Sequence, residues 1–154
     1  MKAWIISSLS IIFCLIIGFI SSMFQTESMI SWYPTLEKSV LTPPGFVFPI
    51  VWTLLYICIG ISLAYILLQE PEKKFVLVFL WSSQILFNFL WSILFFYMKS
   101  PLLGFIDIIL LDIVVILFII CSFKSSKVSS LLFIPYLVWL VLATYLNGYV
   151  MFNN

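Results

Sequence analysis

Gln84, Asn88 and Ser92 recur at a spacing of four within an otherwise apolar stretch, and Trp91 and Phe95 follow the same stripe. Four residues turn an α-helix through about 400°, so these positions share one face. An amide or hydroxyl surrounded by hydrocarbon has to find a partner, which points this face into a bundle. Two uses are then open: hydrogen bonds that tie helix to helix, or contact with a bound molecule. Gln84 taken alone reads as interhelical glue, whereas Asn88 beside Trp91 leaves both uses open.

Two more stripes carry aromatic chemistry. Tyr136, Trp139, Ala143 and Asn147 fall at spacings of three and four, and the small Ala143 leaves a notch between Trp139 and Asn147. Phe48, Trp52 and Tyr56 repeat every four residues. Trp52 and Trp139 lie too deep in their apolar stretches for an interfacial aromatic belt, which favours a shared internal pocket. Asp107 and Asp112 are separated by about 140° around a helix and face different partners. Asp112, at the centre of its stretch, is expected to point inward toward a tryptophan indole or a tyrosine hydroxyl, as a structural pairing rather than a proton relay. There is no histidine, and Cys14, Cys58 and Cys121 sit singly in three different stretches without C-x-x-C spacing. They read as small apolar filler. No metal site, acid–base dyad or activated nucleophile emerges from this inventory.

The elements that carry these residues follow from charge and hydropathy. The 154-residue chain is 64% hydrophobic and 8% charged, with mean hydropathy +1.26; a soluble domain carries about 25% charged residues. Net charge is +1, which offers nothing to nucleic acid. A helix needs roughly 20 apolar residues to cross the hydrocarbon. Five windows suffice, near 3–24, 46–68, 75–98, 102–123 and 129–151, predicting an all-α, single-domain bundle of five transmembrane helices over residues 1–154. The first window exceeds a signal-peptide core and has no clean small-x-small cleavage site, so it reads as an uncleaved helix. Lys2, Lys73, Lys74, Lys124 and Lys127 fall on one side, and Lys38 and Lys99 on the other. That bias predicts a cytoplasmic N-terminus in the cell membrane.

Three of the four connections are short, which forces antiparallel neighbours. The exception is 25–45, a polar, proline-bearing segment that reads as a lid loop. Pro43-Pro44-Gly45 marks the start of the second span. Pro135, deep in the fifth, is expected to kink it, either lining a cavity or being absorbed by neighbours. Gly60 and Ala64 form a small-x-x-x-small pair that suits an internal contact or a dimer seam.

Several motifs together resemble one known family. Trp32-Tyr33-x-x-Leu36-x-Lys38, Pro43-Pro44 and Phe48-x-x-Val51-Trp52-x-x-Leu55-Tyr56 resemble the signature of the tryptophan-rich sensory protein/translocator protein (TspO/MBR) family, also called peripheral-type benzodiazepine receptors. Gln84-x-x-x-Asn88-x-x-Trp91-Ser92-x-x-Phe95-Phe96 resembles its third helix, and Pro135-Tyr136-x-x-Trp139 through Leu146-Asn147 its fifth. The resemblance implies a five-helix bundle, commonly a homodimer, with a pocket covered by the loop after helix 1. It implies binding of tetrapyrroles such as protoporphyrin IX and of benzodiazepine and isoquinoline-carboxamide drugs. Carried over, the pocket residues are Tyr33, Trp52, Asn88, Trp91, Trp139 and Ala143. Light-dependent porphyrin breakdown, as in some bacterial members, would rest on Trp52 and Trp139.

Two positions depart from the pattern. Ser39 stands where the family often has proline, and Tyr145 and Tyr149 are followed by no Lys or Arg. The cholesterol-recognition pattern of animal members is therefore incomplete, which argues against cholesterol transport. The leading expectation is a membrane receptor for a flat, aromatic, amphipathic ligand, with porphyrin as ligand or substrate and no resident cofactor. Without histidine or a pocket cysteine the usual axial haem ligands are missing, so metal-free porphyrin should bind. A transporter of tetrapyrroles or other small amphipathic molecules is the alternative; the odd helix count speaks against the inverted repeats of ion-coupled carriers.

Overall fold

A computed structural model describes residues 2–154 and is all-α. Helix α1 spans Lys2–Met23, and a short α2 (Thr26–Ser31) and a 3-10 turn (Tyr33–Thr35) follow. Then come α3 (Val47–Gln69), α4 (Lys74–Trp91, continued as a π-helix over Ser92–Tyr97), α5 (Pro101–Ser122) and α6 (Lys127–Asn153). Five of these, α1 and α3 to α6, are long and apolar enough to cross a membrane. Their ends fall within three residues of the windows read from hydropathy. Proline marks the helix starts: Pro49 lies in the first turn of α3, and Pro101 opens α5 behind Ser100, whose hydroxyl accepts from the Leu103 N–H at 3.3 Å. Neither position needs an intrahelical donor.

Around the bundle the order is α1, α3, α6, α5, α4 and back to α1. The α1–α3 contact depends on two glycines. A Cβ on Gly60 would stand 2.6 Å from the Ile11 Cα, and one on Gly18 would collide with the Tyr56 ring. Gly60 thus serves an internal contact, and this pair is not free to form a dimer seam. Phe118 and Phe133 meet between α5 and α6 with ring centroids 4.1 Å apart and a tilt of 31°. Cys14 is fully buried among the apolar core residues.

Polar groups inside the bundle close interhelical bonds, as a hydrocarbon surround demands. Trp81 Nε1 donates to the Ile59 carbonyl at 3.0 Å, Ser129 Oγ to the Ser62 carbonyl at 3.1 Å, and Ser130 Oγ to the Ile119 carbonyl at 3.0 Å. Asp112 points inward as expected, but its partner differs: Oδ2 accepts from the Thr144 hydroxyl at 2.7 Å. The compact threonine on facing α6 reaches it without a bulky ring. Gln84 corrects the sequence reading. It is fully buried, yet neither amide atom meets a partner among the described residues, so it does not act as glue. Asp107 is likewise buried with Oδ2 unpartnered.

One open reading is resolved and one expectation changes. Pro135 lies on the exposed outer surface of α6, which runs as one helix through it, so it lines no cavity. The segment 25–45 is not purely loop, because it folds into α2 and the 3-10 turn. Six residues cannot hold a helix unaided. Tertiary bonds hold this one: the buried Ser28 hydroxyl donates to the Phe96 carbonyl, and Lys99 pairs with Glu27 at 3.1 Å. Farther on, the Lys38 ammonium donates to the carbonyls of Tyr33 (3.0 Å) and Leu36 (2.8 Å) and lies 5.1 Å from the Tyr33 ring centroid. Asn154 brackets Glu37, accepting from its N–H at 2.8 Å and donating to its carbonyl at 3.2 Å. The lid is thereby tied to both α4 and α6.

Candidate ligand-binding cavity

Beneath this lid lies a cavity of about 240 Å³. Its wall includes Tyr33, Trp52, Asn88, Trp91, Trp139 and Ala143, all six residues named from the sequence. They arrive from four elements: the 3-10 turn, α3, α4 and α6. Exposed Ser22 and Met29 on one side and Gly45 and Pro49 on the other rim its mouth, between the end of α1 and the start of α3.

Each aromatic residue is held by its neighbours. Trp52 sits between Tyr56 and Tyr136, with ring centroids at 5.7 and 6.2 Å, and Trp139 meets the edge of Phe48 at 5.6 Å. Trp91 stacks on Phe95 at 5.2 Å with an 11° tilt. The π-helix explains this last arrangement. Its wider turn, seen in the bond from Met98 N–H to the Ile93 carbonyl at 2.8 Å, turns Ser92, Phe95 and Phe96 inward together, all of them buried. Such π segments recur at functional sites. Tyr33 closes the top by packing on Phe95 and Phe96 at 6.4 and 5.6 Å. Burial raises its hydroxyl above the ordinary tyrosine range, so the lid ring stays neutral.

Hydrogen-bond accounting separates structural from available groups. Asn88 Oδ1 accepts from the Tyr56 hydroxyl at 2.6 Å, and its Nδ2 donates to the Tyr136 oxygen at 3.1 Å. The amide thus bridges α3 and α6, the interhelical use, from a position in the cavity wall. Trp91 Nε1 donates to Asn147 Oδ1 at 3.0 Å, and Asn147 Nδ2 donates to the Pro101 carbonyl at 2.8 Å, so that indole N–H is occupied. The indole N–H groups of Trp52 and Trp139 meet no protein acceptor among the described residues.

Part of the wall was missed in the sequence. Gly18, Ser21 and Ser22 from the end of α1, and Gln25 from the link beyond it, line the cavity. Their spacing of three and four was a usable signal, masked by the strong apolarity of that window.

The sequence matches the model of the TspO/MBR family over residues 10–152. It is 45% identical over 141 residues to the tryptophan-rich protein TspO of Archaeoglobus fulgidus, covering 90% of both chains. It is 42% identical over 136 residues to the protein of the same name from Chlorobaculum tepidum, covering 87% of this chain and 86% of that one. The human translocator protein is 29% identical over 140 residues, covering 88% and 82%. With five membrane-length helices, a lidded cavity and a family match across nearly its whole length, this chain is an integral, multi-pass membrane protein that belongs to the TspO/MBR family.

Proposed function

We propose that this protein is a membrane receptor for flat, aromatic, amphipathic molecules, namely porphyrins such as protoporphyrin IX and benzodiazepine- or isoquinoline-carboxamide-type drugs. The observation that carries the reading is the convergence of Tyr33, Trp52, Asn88, Trp91, Trp139 and Ala143 on one cavity. Aromatic walls with a few polar groups suit a ligand whose face is apolar and whose edge accepts hydrogen bonds. Relatives named tryptophan-rich sensory protein, from Cereibacter sphaeroides, and translocator protein support a sensor or receptor role.

The cavity's 240 Å³ lies just below the roughly 300–1,000 Å³ usual for small-molecule sites. A drug-sized ring system would nearly fill it, and a porphyrin would extend into the mouth. Titration of the purified protein with protoporphyrin IX in darkness, followed at the Soret band, is expected to saturate at one ligand per chain. An isoquinoline carboxamide should displace the porphyrin. Non-saturating uptake, matching that of an unrelated membrane protein, would refute the reading.

A second reading, light-dependent porphyrin degradation, draws on the presence of Trp52 and Trp139 in the same wall, since indoles are oxidisable. The porphyrin and oxygen would then supply the chemistry and the protein confinement.

The lysine asymmetry supports an N-terminus on the cytoplasmic side of the cell membrane and a lid outside. In a background lacking Cys14, Cys58 and Cys121, Val40→Cys should label with an impermeant thiol reagent in whole cells. Lys73→Cys should label only after lysis. Both positions are exposed, so the opposite pattern would invert the orientation.

A further inference from the structure

We propose that Ser92, set by Ser21 and Gln25, is a subsite for a hydrogen-bond acceptor, a carboxylate or carbonyl oxygen, on an otherwise apolar ligand. The proposal deepens the receptor reading above and rests on it. Ser92 opens the π segment of α4 and lines the cavity, yet its residue is only 2% exposed. Its oxygen accepts from the Ser21 hydroxyl at 2.7 Å and from Gln25 Nε2 at 2.8 Å. A serine hydroxyl has two acceptor lone pairs and one proton. Both lone pairs are therefore in use, and the proton has to be donated. Among the described residues it finds no acceptor.

The two donors orient that proton. Ser21, 3% exposed, holds it from α1, and Gln25 holds it from the link between α1 and α2. With both lone pairs directed at the α1 side, the O–H bond is left to turn away from that seam, and Ser92 borders the cavity there. A buried hydroxyl without an acceptor is unfavourable, and a ligand oxygen would remove that cost. Around Ser92 the wall is otherwise mostly apolar. Ser21, Gln25 and Ser92 form a polar cluster at the α1–α4 seam, set among aromatic side chains: Trp91, Phe95 and Phe96 from α4 itself, and Phe48 and Trp139 from α3 and α6. An amphipathic ligand would lay its ring plane among these aromatics and its acceptor on Ser92.

The test uses two metal-free porphyrins: protoporphyrin IX, which carries two carboxylates, and octaethylporphyrin, the same macrocycle with alkyl groups only. Dark dissociation constants are measured for the parent, Ser92→Thr and Ser92→Val. Threonine and valine have the same shape, so only the hydroxyl differs. Parent and Ser92→Thr are expected to prefer protoporphyrin. Ser92→Val should weaken protoporphyrin about tenfold, the worth of one hydrogen bond to a charged group, and leave octaethylporphyrin within about twofold. Should Ser92→Val not yield folded protein, Ser92→Ala carries the same comparison without added bulk. Equal loss for both porphyrins would make Ser92 a helix clamp and overturn the subsite, as would no loss for either. Failure of the parent to bind protoporphyrin at all would overturn the receptor reading, and the subsite with it.

Discussion

Ala143→Phe is expected to weaken protoporphyrin and drug binding by roughly a hundredfold, about 2.7 kcal/mol, while the bundle still folds. Ala143 is half-buried on α6 and borders both the main cavity and a small separate void lined by Ile108, Leu111 and Leu140. A benzyl group there would occupy space that a ligand ring needs between Trp52, Trp91 and Trp139. It projects into an existing void rather than into close-packed core, so little of the overpacking penalty of a filled interior applies. The check is a dark titration of the variant beside its helical content and thermal midpoint in the same detergent. Ala143→Ser, nearly equal in volume, should bind like the parent. Unchanged affinity in well-folded Ala143→Phe would move the binding site out of this cavity.

Trp52→Phe and Trp139→Phe separate binding from turnover. Phenylalanine keeps most of the stacked aromatic area, so dark affinity should stay within about threefold of the parent, less than 1 kcal/mol. The neighbours that hold each ring, Tyr56 and Tyr136 for Trp52 and Phe48 for Trp139, are untouched. Phenylalanine is much harder to oxidise than indole, and an excited porphyrin would no longer find an electron donor in contact. Under illumination in air, at equal occupancy, porphyrin loss should slow at least about tenfold in each variant, a rise of about 1.4 kcal/mol in the barrier. If both variants bleach porphyrin as fast as the parent, tryptophan takes no part and the degradation reading loses its mechanism.

Much of this molecule is legible one helix at a time. The spans could be placed within three residues because an apolar stretch of membrane length has one stable conformation in lipid, the helix that satisfies its own backbone. The stripes Asn88–Trp91, Trp139–Ala143 and Phe48–Trp52 were readable for a related reason: the helical period projects chosen residues onto one face whatever the neighbours do. Tyr33 was different. No periodicity marked it, and only the resemblance of Trp32-Tyr33-x-x-Leu36-x-Lys38 to the family signature brought it to the site.

What one-dimensional reading could not supply was the pairing between faces. Periodicity says that Gln84, Asn88 and Asp112 point inward, but not what each meets. Asn88 bridges two tyrosines, Asp112 meets Thr144, and Gln84 meets nothing among the described residues. Those outcomes depend on helix order and on distances of a few tenths of an ångström. The order, with α1 against α3 and α6 between α3 and α5, is set by packing such as the Gly60–Ile11 approach, where one added methyl group would separate two helices. Likewise, α2 exists because Ser28 and Gln25 bond to the π segment of α4, and Glu27 to Lys99 just beyond it, across more than sixty residues of chain. Helical period and membrane length are local properties and can be read along the chain; the partner of a buried polar group is a property of two surfaces and appears only once they are packed together.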